Sequence, residues 1–445
     1  MTSLYVHVPF CVKKCSYCAF YSVPYTVPII ADSRISGSVD EADHMLLSDP
    51  ASDLVSVYLH GLERELELRA KEAPQGVSSL FIGGGTPTVL DASQLDRLLS
   101  LIYRYYFKAL SRTDSTELFD PIRDPRINTS RTGQVLEKTI ECNPGILDRE
   151  KLMLCRTYGI NRISLGAQSF DDRLLKSIGR IHTAEDIHRS VTLIRQSGID
   201  NLNLDLIFGL PGQKMGDWQD TLRQAIALSP EHLSLYALTL EEDTPLHKEY
   251  AYIQAGSPDC KETLDGLNSR NRLDRLPDDD LQADMYEWAV SYLQSCGYGR
   301  YEVSNFARPG FECKHNRSYW RGQDYIGLGP GAVSCLNNVR TRNSEDIAGY
   351  TRMLESGQRP LDPSATEVLT REQQISEFMM LGLRTADGID TAEFSAKFQT
   401  EIQDIYGQIL QNYIDRDIFR LAEGRLKINP ACFFVLNAVL VDFIL

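Results

Sequence analysis

The sequence predicts an α/β fold: a partial (β/α)6 barrel of the TIM type, followed by a smaller, mainly helical C-terminal domain. Three observations lead to this prediction. Six short apolar runs rich in β-branched residues recur between residues 4 and 240 of the 445-residue chain, helix-like segments lie between most of them, and helices dominate again after about residue 366. Strands that alternate with helices form parallel βαβ units, and six such units are more than half of an eightfold barrel.

The strands and helices are predicted from local patterns. The six strands are the runs LYVHVPF, VSSLFIGGG, TIECNP, RISLGAQSF, LNLDLIFGLP and HLSLYALTL, at residues 4–10, 77–85, 139–144, 162–170, 202–211 and 232–240. In the segment after the first run, Tyr58, Leu62 and Leu66 fall on one helical face. Later helices begin at capping residues, as in DASQLDRLLSLIY and TAEDIHRSVTLIRQSG, and the second of these ends at Gly198.

The chain is predicted to have four parts. Residues 1–250 form the barrel core, 251–279 an inserted polar loop, 280–345 a barrel-flanking region rich in aromatic residues and glycine, and 346–445 the C-terminal helical domain. Three polar stretches without periodicity, 31–52, 111–134 and 257–279, are predicted to be surface insertions. Long surface insertions cost little free energy, so we assign them no function.

Composition and charge narrow the function. The net charge of −15 argues against a nucleic-acid partner, and the 10 cysteines are too dispersed for a disulfide scaffold. No apolar stretch reaches the roughly 18 residues that would span a bilayer. The apolar tail ACFFVLNAVLVDFIL contains Asn437 and Asp442 and is interpreted as a core helix. With no secretory or import signal, a cytoplasmic location is expected, and peripheral contact with a membrane stays open.

Residues typical of functional sites follow the predicted strands at their carboxyl ends, where barrel proteins build their active sites. The first run is followed by Cys11, Cys15 and Cys18, and the second ends in GGGTP (83–87). The third run closes with Glu141 and Asn143, and the fourth with Gln168. Late in the fifth run lie Asp205 and GLPGQ (209–213), and the sixth is followed by EEDTP (241–245). Any one of these could be an ordinary turn residue. Six in register predict an active site.

The cysteine spacing C-x3-C-x2-C offers three thiolates, and two interpretations of it stay open. A zinc site would need a fourth ligand, for which Cys142 and His7 are the nearest candidates, but neither has the paired spacing of structural zinc sites. A [4Fe–4S] cluster with three protein ligands would keep one iron free for a small molecule. The second interpretation accounts for the absence of a fourth ligand.

The motifs CVKKCSYC and GGGTP resemble those of the radical S-adenosyl-L-methionine (SAM) superfamily. The resemblance implies a [4Fe–4S] cluster held by Cys11, Cys15 and Cys18, SAM bound to the open iron, and an electron donor for the cluster. SAM cleaved by the reduced cluster supplies a 5′-deoxyadenosyl radical, chemistry that no side chain can perform.

Further motifs are similar to those of the oxygen-independent coproporphyrinogen III oxidase-like family. They are LYVHVPFC, FIGGGTPT, ECNPG, RISLGAQSF, GRIH, NLDLIFGLPGQ, HLSLYALTLEEDTPL and HNRSYWRGQDYIGLGPGA. The resemblance implies that Tyr5, Gly85, Thr86 and Glu141 bind SAM. In the oxidase branch, positions that match Tyr17, Gln168, Arg180 and Asp205 take part in a second SAM site.

Two departures from the oxidase branch point instead to the heme chaperone branch of the same family. The oxidases carry another cysteine two residues after the third, where this chain has Phe20, and they have a longer segment before the first strand than Met1 to Ser3. The resemblance therefore implies a protein that binds heme and passes it to respiratory proteins. The alternative is an enzyme, a coproporphyrinogen III dehydrogenase that removes two propionate carboxyl groups in porphyrin biosynthesis.

The segment HNRSYW is shared with the chaperone branch, where it is the expected heme-contact motif. His315, Tyr319 and Trp320 are therefore candidates for heme contact. Neutral imidazole is a good axial ligand of heme iron, and Cys313 is a rival ligand. The structural alternative is a histidine that stabilises a turn beside core aromatic residues.

Overall fold

The structure is a computed structural model that describes residues 2–25, 50–74, 76–107, 136–254 and 275–445. Its centre is a curved sheet whose six parallel strands follow one another in chain order. These six barrel strands are Thr2–Val8, Val77–Gly84, Glu137–Cys142, Arg162–Gln168, Asn201–Phe208 and His232–Ala237. All six predicted strands and the partial (β/α)6 barrel are thus confirmed.

Short strands extend both edges of the barrel to give a sheet of 12 strands. Next to the first barrel strand lie Tyr325–Leu328, which is parallel to it, and then Val333–Leu336, Val339–Arg342 and Glu367–Val368. Beyond the sixth lie the antiparallel strands Asn305–Ala307 and Gly299–Arg300. These added strands were not predicted, because two to four residues are too few to show an alternating pattern.

Helices cover the outside of the barrel. They are Pro50–Arg69, Ala92–Ile102, Arg149–Thr157, Asp172–Ser177, Ala184–Ser197, Met215–Ala227, Pro245–Gln254 and Asp279–Ser295. Tyr58, Leu62 and Leu66 are fully buried, as predicted for the first helix. The predicted caps also form: the side chains of Asp91 and Thr183 accept backbone N–H groups, and Gly198 ends its helix in the left-handed conformation.

The C-terminal part is mainly helical, with Ile347–Glu355, Arg371–Gly382, Thr391–Phe398, Ile402–Asp415 and Leu436–Leu440. A three-stranded sheet of Ile389–Asp390, Phe419–Ala422 and Arg425–Ile428 interrupts the helices. The apolar tail, expected as one core helix, is instead two single 3-10 turns around the short helix Leu436–Leu440. Its Leu436, Leu440 and Phe443 are nevertheless buried in the core.

The predicted insertions lie mostly outside the described residues. Residues 31–49, 111–134 and 257–274 are not described, whereas 50–52 belong to the first helix and Asp279 begins another. Within the described ranges, no helix is both long enough and apolar enough to cross a lipid bilayer.

Candidate functional site

The loop that follows the first barrel strand carries Cys11, Cys15 and Cys18, and all three are partly buried free thiols. The loop closes tightly, because the amide of Cys18 donates to the carbonyl of Cys15 at 3.2 Å. Burial raises the pKa of the Cys11 and Cys18 thiols. Iron binding at this loop would therefore release protons, since thiolates are the ligands.

A chain of polar contacts joins this loop to three other predicted motifs. The Cys11 Sγ lies 3.6 Å from Oγ1 of Thr86, which accepts a 2.8 Å hydrogen bond from Asn143. The Asn143 Oδ1 accepts from the Arg180 guanidinium at 2.8 Å, and the same guanidinium donates to the Cys15 Sγ at 3.4 Å. The structure thus brings together the cysteine loop, GGGTP, ECNPG and GRIH.

Two polar atoms in and beside the cysteine loop are suited to bind an additional group. The Arg180 Nε and the Ser16 Oγ are buried and have no hydrogen-bond partner among the described residues. Buried polar atoms of proteins are nearly always satisfied. Two orphaned donors beside three thiols fit a sulfide-containing anionic cluster, because the thiolates and sulfides accept hydrogen bonds and the arginine offsets their charge.

The zinc interpretation finds no support here. Among the described residues, no group of three or more His, Cys, Asp or Glu side chains is arranged to hold a metal ion. The His7 ring is engaged at both nitrogens, by the Tyr5 hydroxyl at 3.0 Å and the Tyr21 carbonyl at 2.9 Å. Cys142 is buried in the third strand. The thiolates of a [4Fe–4S] cluster bind different irons, so they need not converge on one point.

The glycines of GGGTP accommodate protein atoms. A Cβ on Gly83 would lie 2.7 Å from the Glu141 carboxylate, and one on Gly85 would lie 2.5 Å from the carbonyl oxygen of Phe10. The amides of Gly85 and Thr86 donate to the carbonyls of Val8 and Phe10. These glycines therefore allow the turn to dock closely onto the start of the cysteine loop.

Two buried carboxyl groups lie near each other inside the barrel, Glu141 on the third barrel strand and Asp205 on the fifth. Glu141 accepts the Gly84 amide at 3.1 Å, and burial together with the nearby Asp205 raises its pKa to about 8. Asp205 accepts from Ser164 at 3.0 Å and from Asn203 at 2.8 Å, and burial raises its pKa too. A largely neutral Glu141 can donate as well as accept a hydrogen bond.

The remaining candidates for SAM binding surround these groups. Tyr5 lies on the first strand, where burial raises the pKa of its hydroxyl well above the usual value. Tyr17 packs against Ile178 and Leu210, near Arg180. Gln168 ends the fourth strand in the left-handed region at φ 64°, a conformation that costs free energy in residues other than glycine.

A cavity of about 1210 Å³ extends from this region to the C-terminal domain. Tyr5, His7, Gly84 and Glu141 line one part, and Ala19, Phe20 and Tyr21 of the cysteine loop border it. His315, Tyr319 and Trp320 line another part, and the C-terminal domain contributes apolar side chains, including Leu369, Phe378 and Ile389. All three predicted heme-contact residues therefore share one cavity with two of the predicted SAM residues.

The HNRSYW segment forms the helix Lys314–Trp320 beside the amino-terminal ends of the first three strands. The Ser318 Oγ lies 2.6 Å from Oγ of Ser3, and the His315 Nδ1 lies 2.9 Å from Oγ of Ser79. The cysteines lie at the opposite, carboxyl ends. The sequence did not reveal this separation, because strand order says nothing about where a distant helix packs.

His315 is buried, and both of its ring nitrogens have partners. Nε2 lies 3.1 Å from the Tyr319 hydroxyl, and the ring stacks on Phe81 with centroids 5.2 Å apart. Burial lowers the pKa of His315 to about 3, so the ring is neutral. Neutral imidazole is the ligating form, but ligation of iron by Nε2 would first require the bond to Tyr319 to break.

Glu137 is a structural residue of this helix that sequence reasoning missed. Its carboxylate accepts the amides of Lys314 at 3.0 Å and His315 at 3.1 Å, and it lies 3.3 Å from the Cys313 Sγ. Glu137, the first residue of the third barrel strand, thus caps the amino-terminal end of this helix. Cys313, the rival heme ligand, is fully buried in this contact and does not line the cavity.

A buried chain of hydrogen bonds, also missed, joins the two ends of the barrel interior. The Asn203 amide donates to the Asp205 carboxylate. The Asn203 Oδ1 lies 2.6 Å from Nδ1 of His232. The His232 Nε2 lies 2.8 Å from the Tyr301 hydroxyl, which accepts the Cys313 amide at 3.3 Å. The chain holds the HNRSYW helix against the barrel. His232, Tyr301 and Cys313 lie far apart in sequence, and no local pattern relates them.

A partial parallel barrel whose first strand leads into three clustered cysteines, with a glycine-rich turn and a carboxylate on the next two strands, defines a radical SAM protein. The comparisons agree with this class. Residues 5–225 match the family model "Radical SAM superfamily", and residues 369–435 match "HemN C-terminal domain". Membership of the superfamily implies a [4Fe–4S] cluster and SAM as cofactors.

Similar proteins narrow the class. The heme chaperone HemW of Bacillus subtilis (strain 168) is 31% identical over 430 residues, which cover 96% of this chain and 95% of the relative. The heme chaperone HemW of Escherichia coli (strain K12) is 35% identical over 403 residues, 88% of this chain and 85% of the relative. This chain belongs to the HemW family of the coproporphyrinogen III oxidase-like radical SAM proteins.

A solved structure shows the same fold. Coproporphyrinogen III oxidase (HemN) from Escherichia coli, a radical SAM enzyme, matches with a TM-score of 0.73 at 21% identity, over 100% of this chain and 90% of that one. The match confirms the predicted α/β architecture with its mainly helical C-terminal domain.

Proposed function

We propose that this protein is a heme chaperone that binds heme in the 1210 Å³ cavity, beside a [4Fe–4S] cluster and SAM, and delivers it to respiratory acceptor proteins. One observation carries the proposal: the helix with HNRSYW, the cysteine loop at Phe20 and the C-terminal domain all line the same cavity. The names of the similar proteins support it.

The size and lining of the cavity suit a large flat ligand. Ligand pockets in proteins usually measure about 300–1,000 Å³ and are lined mainly by apolar and aromatic side chains. Phe20, Phe81, Tyr319, Trp320 and Phe378 supply such surfaces around the cavity. Phe20 is 68% exposed, so its ring is accessible to a ligand.

Cofactor binding is proposed at the carboxyl ends of the strands. Cys11, Cys15 and Cys18 would hold the cluster, with the Arg180 guanidinium stabilising the thiolate of Cys15. SAM would lie near Tyr5, Gly85, Thr86 and Glu141. Glu141 would hydrogen-bond its polar groups, and Tyr5 and Glu141 also line the cavity, so bound SAM would form part of the wall beside the heme.

A second SAM position would involve Tyr17, Gln168, Arg180 and Asp205. Tyr17, Gln168, Arg180 and Asp205 are all close to the cysteine loop or the barrel interior, but none of them lines the cavity. Arg180 is bound to Asn143 and to the carbonyl of Gly166, and Asp205 to Ser164 and Asn203. Their present partners would have to be exchanged for a second SAM.

The rival activity is decarboxylation of coproporphyrinogen III. The anaerobically reconstituted protein is incubated with SAM, a reductant and coproporphyrinogen III, and porphyrin products are separated by chromatography. We expect no protoporphyrinogen, whereas heme added to the same preparation should bind at one equivalent per chain, seen as a saturable Soret band. Formation of protoporphyrinogen at many turnovers would contradict the chaperone proposal.

Delivery is tested separately. The heme-loaded protein is mixed with membranes that contain a heme-free respiratory cytochrome, and the recovered oxidoreductase activity is followed over time. We expect faster recovery than with the same concentration of free heme. Equal rates from free and protein-bound heme would contradict a delivery function.

A further inference from the structure

The cavity is lined by seven basic side chains, and most of them are neutralised by the protein itself. Four form ion pairs with carboxylates: Arg317 with Asp387, Arg340 with Glu367 and Glu377, Arg342 with Asp362 and Glu345, and Arg425 with Asp390. The other three, Arg321, Arg384 and Lys397, have no carboxylate within 4 Å among the described residues.

Arg321 does not require a ligand to account for its position. It is exposed to solvent, so its charge is hydrated without a ligand. The two basic side chains that remain, Arg384 and Lys397, both belong to the C-terminal domain.

Arg384 is held firmly in the cavity wall. Its carbonyl accepts the Val303 amide at 3.0 Å, and two residues further on the Ala386 amide donates to the carbonyl of Tyr301 at 3.0 Å. The guanidinium donates to the carbonyl of Met380 and to Oδ1 of Asn437, each at 3.0 Å. Both partners are neutral, and burial lowers the pKa of Arg384. A half-buried charge without a counterion is costly, so an anionic ligand would be favoured there.

Lys397 is exposed and lines the same cavity. Its ammonium lies 5.4 Å from the centroids of the Phe378 and Phe398 rings, and Phe378 also lines the cavity. Glu393 lies one helical turn before Lys397, but the two charged groups are not within ion-pairing distance. Cation–π contact positions the ammonium without neutralising it.

Acidic groups elsewhere in the cavity do not fill this region. Glu345, Glu377, Asp387 and Asp390 are already paired with arginines. Glu141, at the SAM end, has its pKa raised to about 8. Asp324 accepts the Asn337 amide at 3.1 Å. Of the basic groups that line the cavity, Arg384 is therefore the one that is half-buried and has no carboxylate partner among the described residues.

We propose that Arg384, assisted by Lys397, forms a carboxylate subsite that binds the propionate groups of heme. The inference rests on the proposed heme function and specifies how the ligand is oriented. With the propionates at Arg384, the macrocycle extends toward Tyr319 and Trp320, which line the same cavity. A guanidinium binds a carboxylate through two parallel hydrogen bonds, so the subsite selects tetrapyrroles with free carboxyl groups.

The test compares two probes on the full-length protein: hemin and its dimethyl ester, which lacks the propionate charges. Affinities are measured by absorbance titration with wild type, Arg384→Met, Lys397→Met and the control Arg352→Met. Arg352 is an exposed arginine paired with Asp346 and does not line the cavity. Wild type should bind hemin at least about tenfold more tightly than the ester.

In Arg384→Met, we expect the preference for hemin to fall to about threefold or less, with a smaller loss in Lys397→Met and none in Arg352→Met. Circular dichroism establishes that each variant is folded. The comparison of hemin with its ester on wild type tests the subsite even if a variant fails to fold. Equal affinities of wild type for hemin and ester, or an unchanged preference in folded Arg384→Met, would overturn the subsite alone. Failure of wild type to bind hemin would instead overturn the heme function as well.

Discussion

The hydroxyl of Tyr319 lies 3.1 Å from Nε2 of His315, one helical turn away on the HNRSYW helix. The other ring nitrogen of His315 is 2.9 Å from the Ser79 hydroxyl. Both polar atoms of this buried imidazole are therefore satisfied by the protein. The helix is held at the barrel through His315, while Tyr319 and Trp320 are available at the cavity surface.

Tyr319→Phe leaves one nitrogen of His315 without its partner. An unsatisfied buried polar group costs about 1–3 kcal/mol, so we expect a loss of that size in the free energy of unfolding, measured with urea. Tyr105→Phe is the control, because the Tyr105 hydroxyl makes no hydrogen bond to any described residue and its removal should cost less than about 0.5 kcal/mol. Equal stability losses in the two variants would contradict the role assigned to Tyr319.

The neutral state of His315 makes stability depend on pH. Its pKa is about 3 in the folded protein and about 6.5 in an unfolded chain, so between these values the unfolded state binds more protons. The contribution of the neutral ring to the free energy of unfolding is fully present above pH 6.5. Below that pH it falls by about 1.4 kcal/mol per pH unit. From pH 6.5 to 4.5, wild type should lose about 2–3 kcal/mol more than His315→Gln. Parallel stability curves for the two proteins would show that His315 does not titrate in this way.

Gly166 makes room for Arg180 beside the cysteine loop. A Cβ at this position would lie 2.6 Å from Nη2 of Arg180 and 2.9 Å from Oδ1 of Asn143. We expect Gly166→Ala to displace Arg180 and to lower SAM affinity about tenfold, measured by equilibrium dialysis, because small-to-large changes in packed sites cost about 1–3 kcal/mol. The control is Gly216→Ala, where a Cβ meets nothing within 4 Å. Unchanged SAM binding in Gly166→Ala would argue against a role for Arg180.

Phe20 occupies the position at which the oxidase branch has a further cysteine. Its exposed ring lines the cavity, and covering it with heme removes apolar surface from water. Phe20→Ala should weaken heme binding about tenfold and leave the iron content of the cluster unchanged. Met153→Ala, at a residue that is 64% exposed and lies outside this cavity, should bind heme like wild type. The heme site would have to lie elsewhere if the two variants behaved alike.

Cys15 is expected to be a cluster ligand that Arg180 supports. Cys15→Ser should lose most iron and acid-labile sulfide after anaerobic reconstitution, because serine is a poor substitute for a thiolate on iron. Cys432→Ser, a partly buried cysteine of the C-terminal domain, is the matched control and should retain both. Full retention of iron and sulfide by Cys15→Ser would require a different ligand set.

Much of the barrel could be predicted from the sequence. Buried parallel strands are continuous apolar runs, and the six barrel strands have this local pattern. The caps at Asp91 and Thr183 are equally local, as is the spacing of the three cysteines. Strand ends of a parallel barrel share one rim, so the proximity of Cys11, Thr86 and Asn143 could be anticipated. Arg180 was a candidate only through the family resemblance.

The rest of the site depends on contacts between distant parts of the chain. Glu137 caps a helix that begins 177 residues later, and His232 reaches Tyr301 across 69 residues. No periodicity relates such pairs. For the same reason the sequence did not show that the HNRSYW helix lies at the opposite end of the strands from the cysteines, or that Arg384 and Lys397 face the same cavity.

The most direct measurement is an anomalous-difference map at the iron absorption edge, from crystals of anaerobically reconstituted protein loaded with heme. Two iron sites are expected in each chain: a compact cluster at Cys11, Cys15 and Cys18, and a single iron inside the cavity near Tyr319 and Trp320. A map with no iron in that cavity, or with no cluster at the three cysteines, would contradict the proposal that this barrel holds heme beside an iron–sulfur centre.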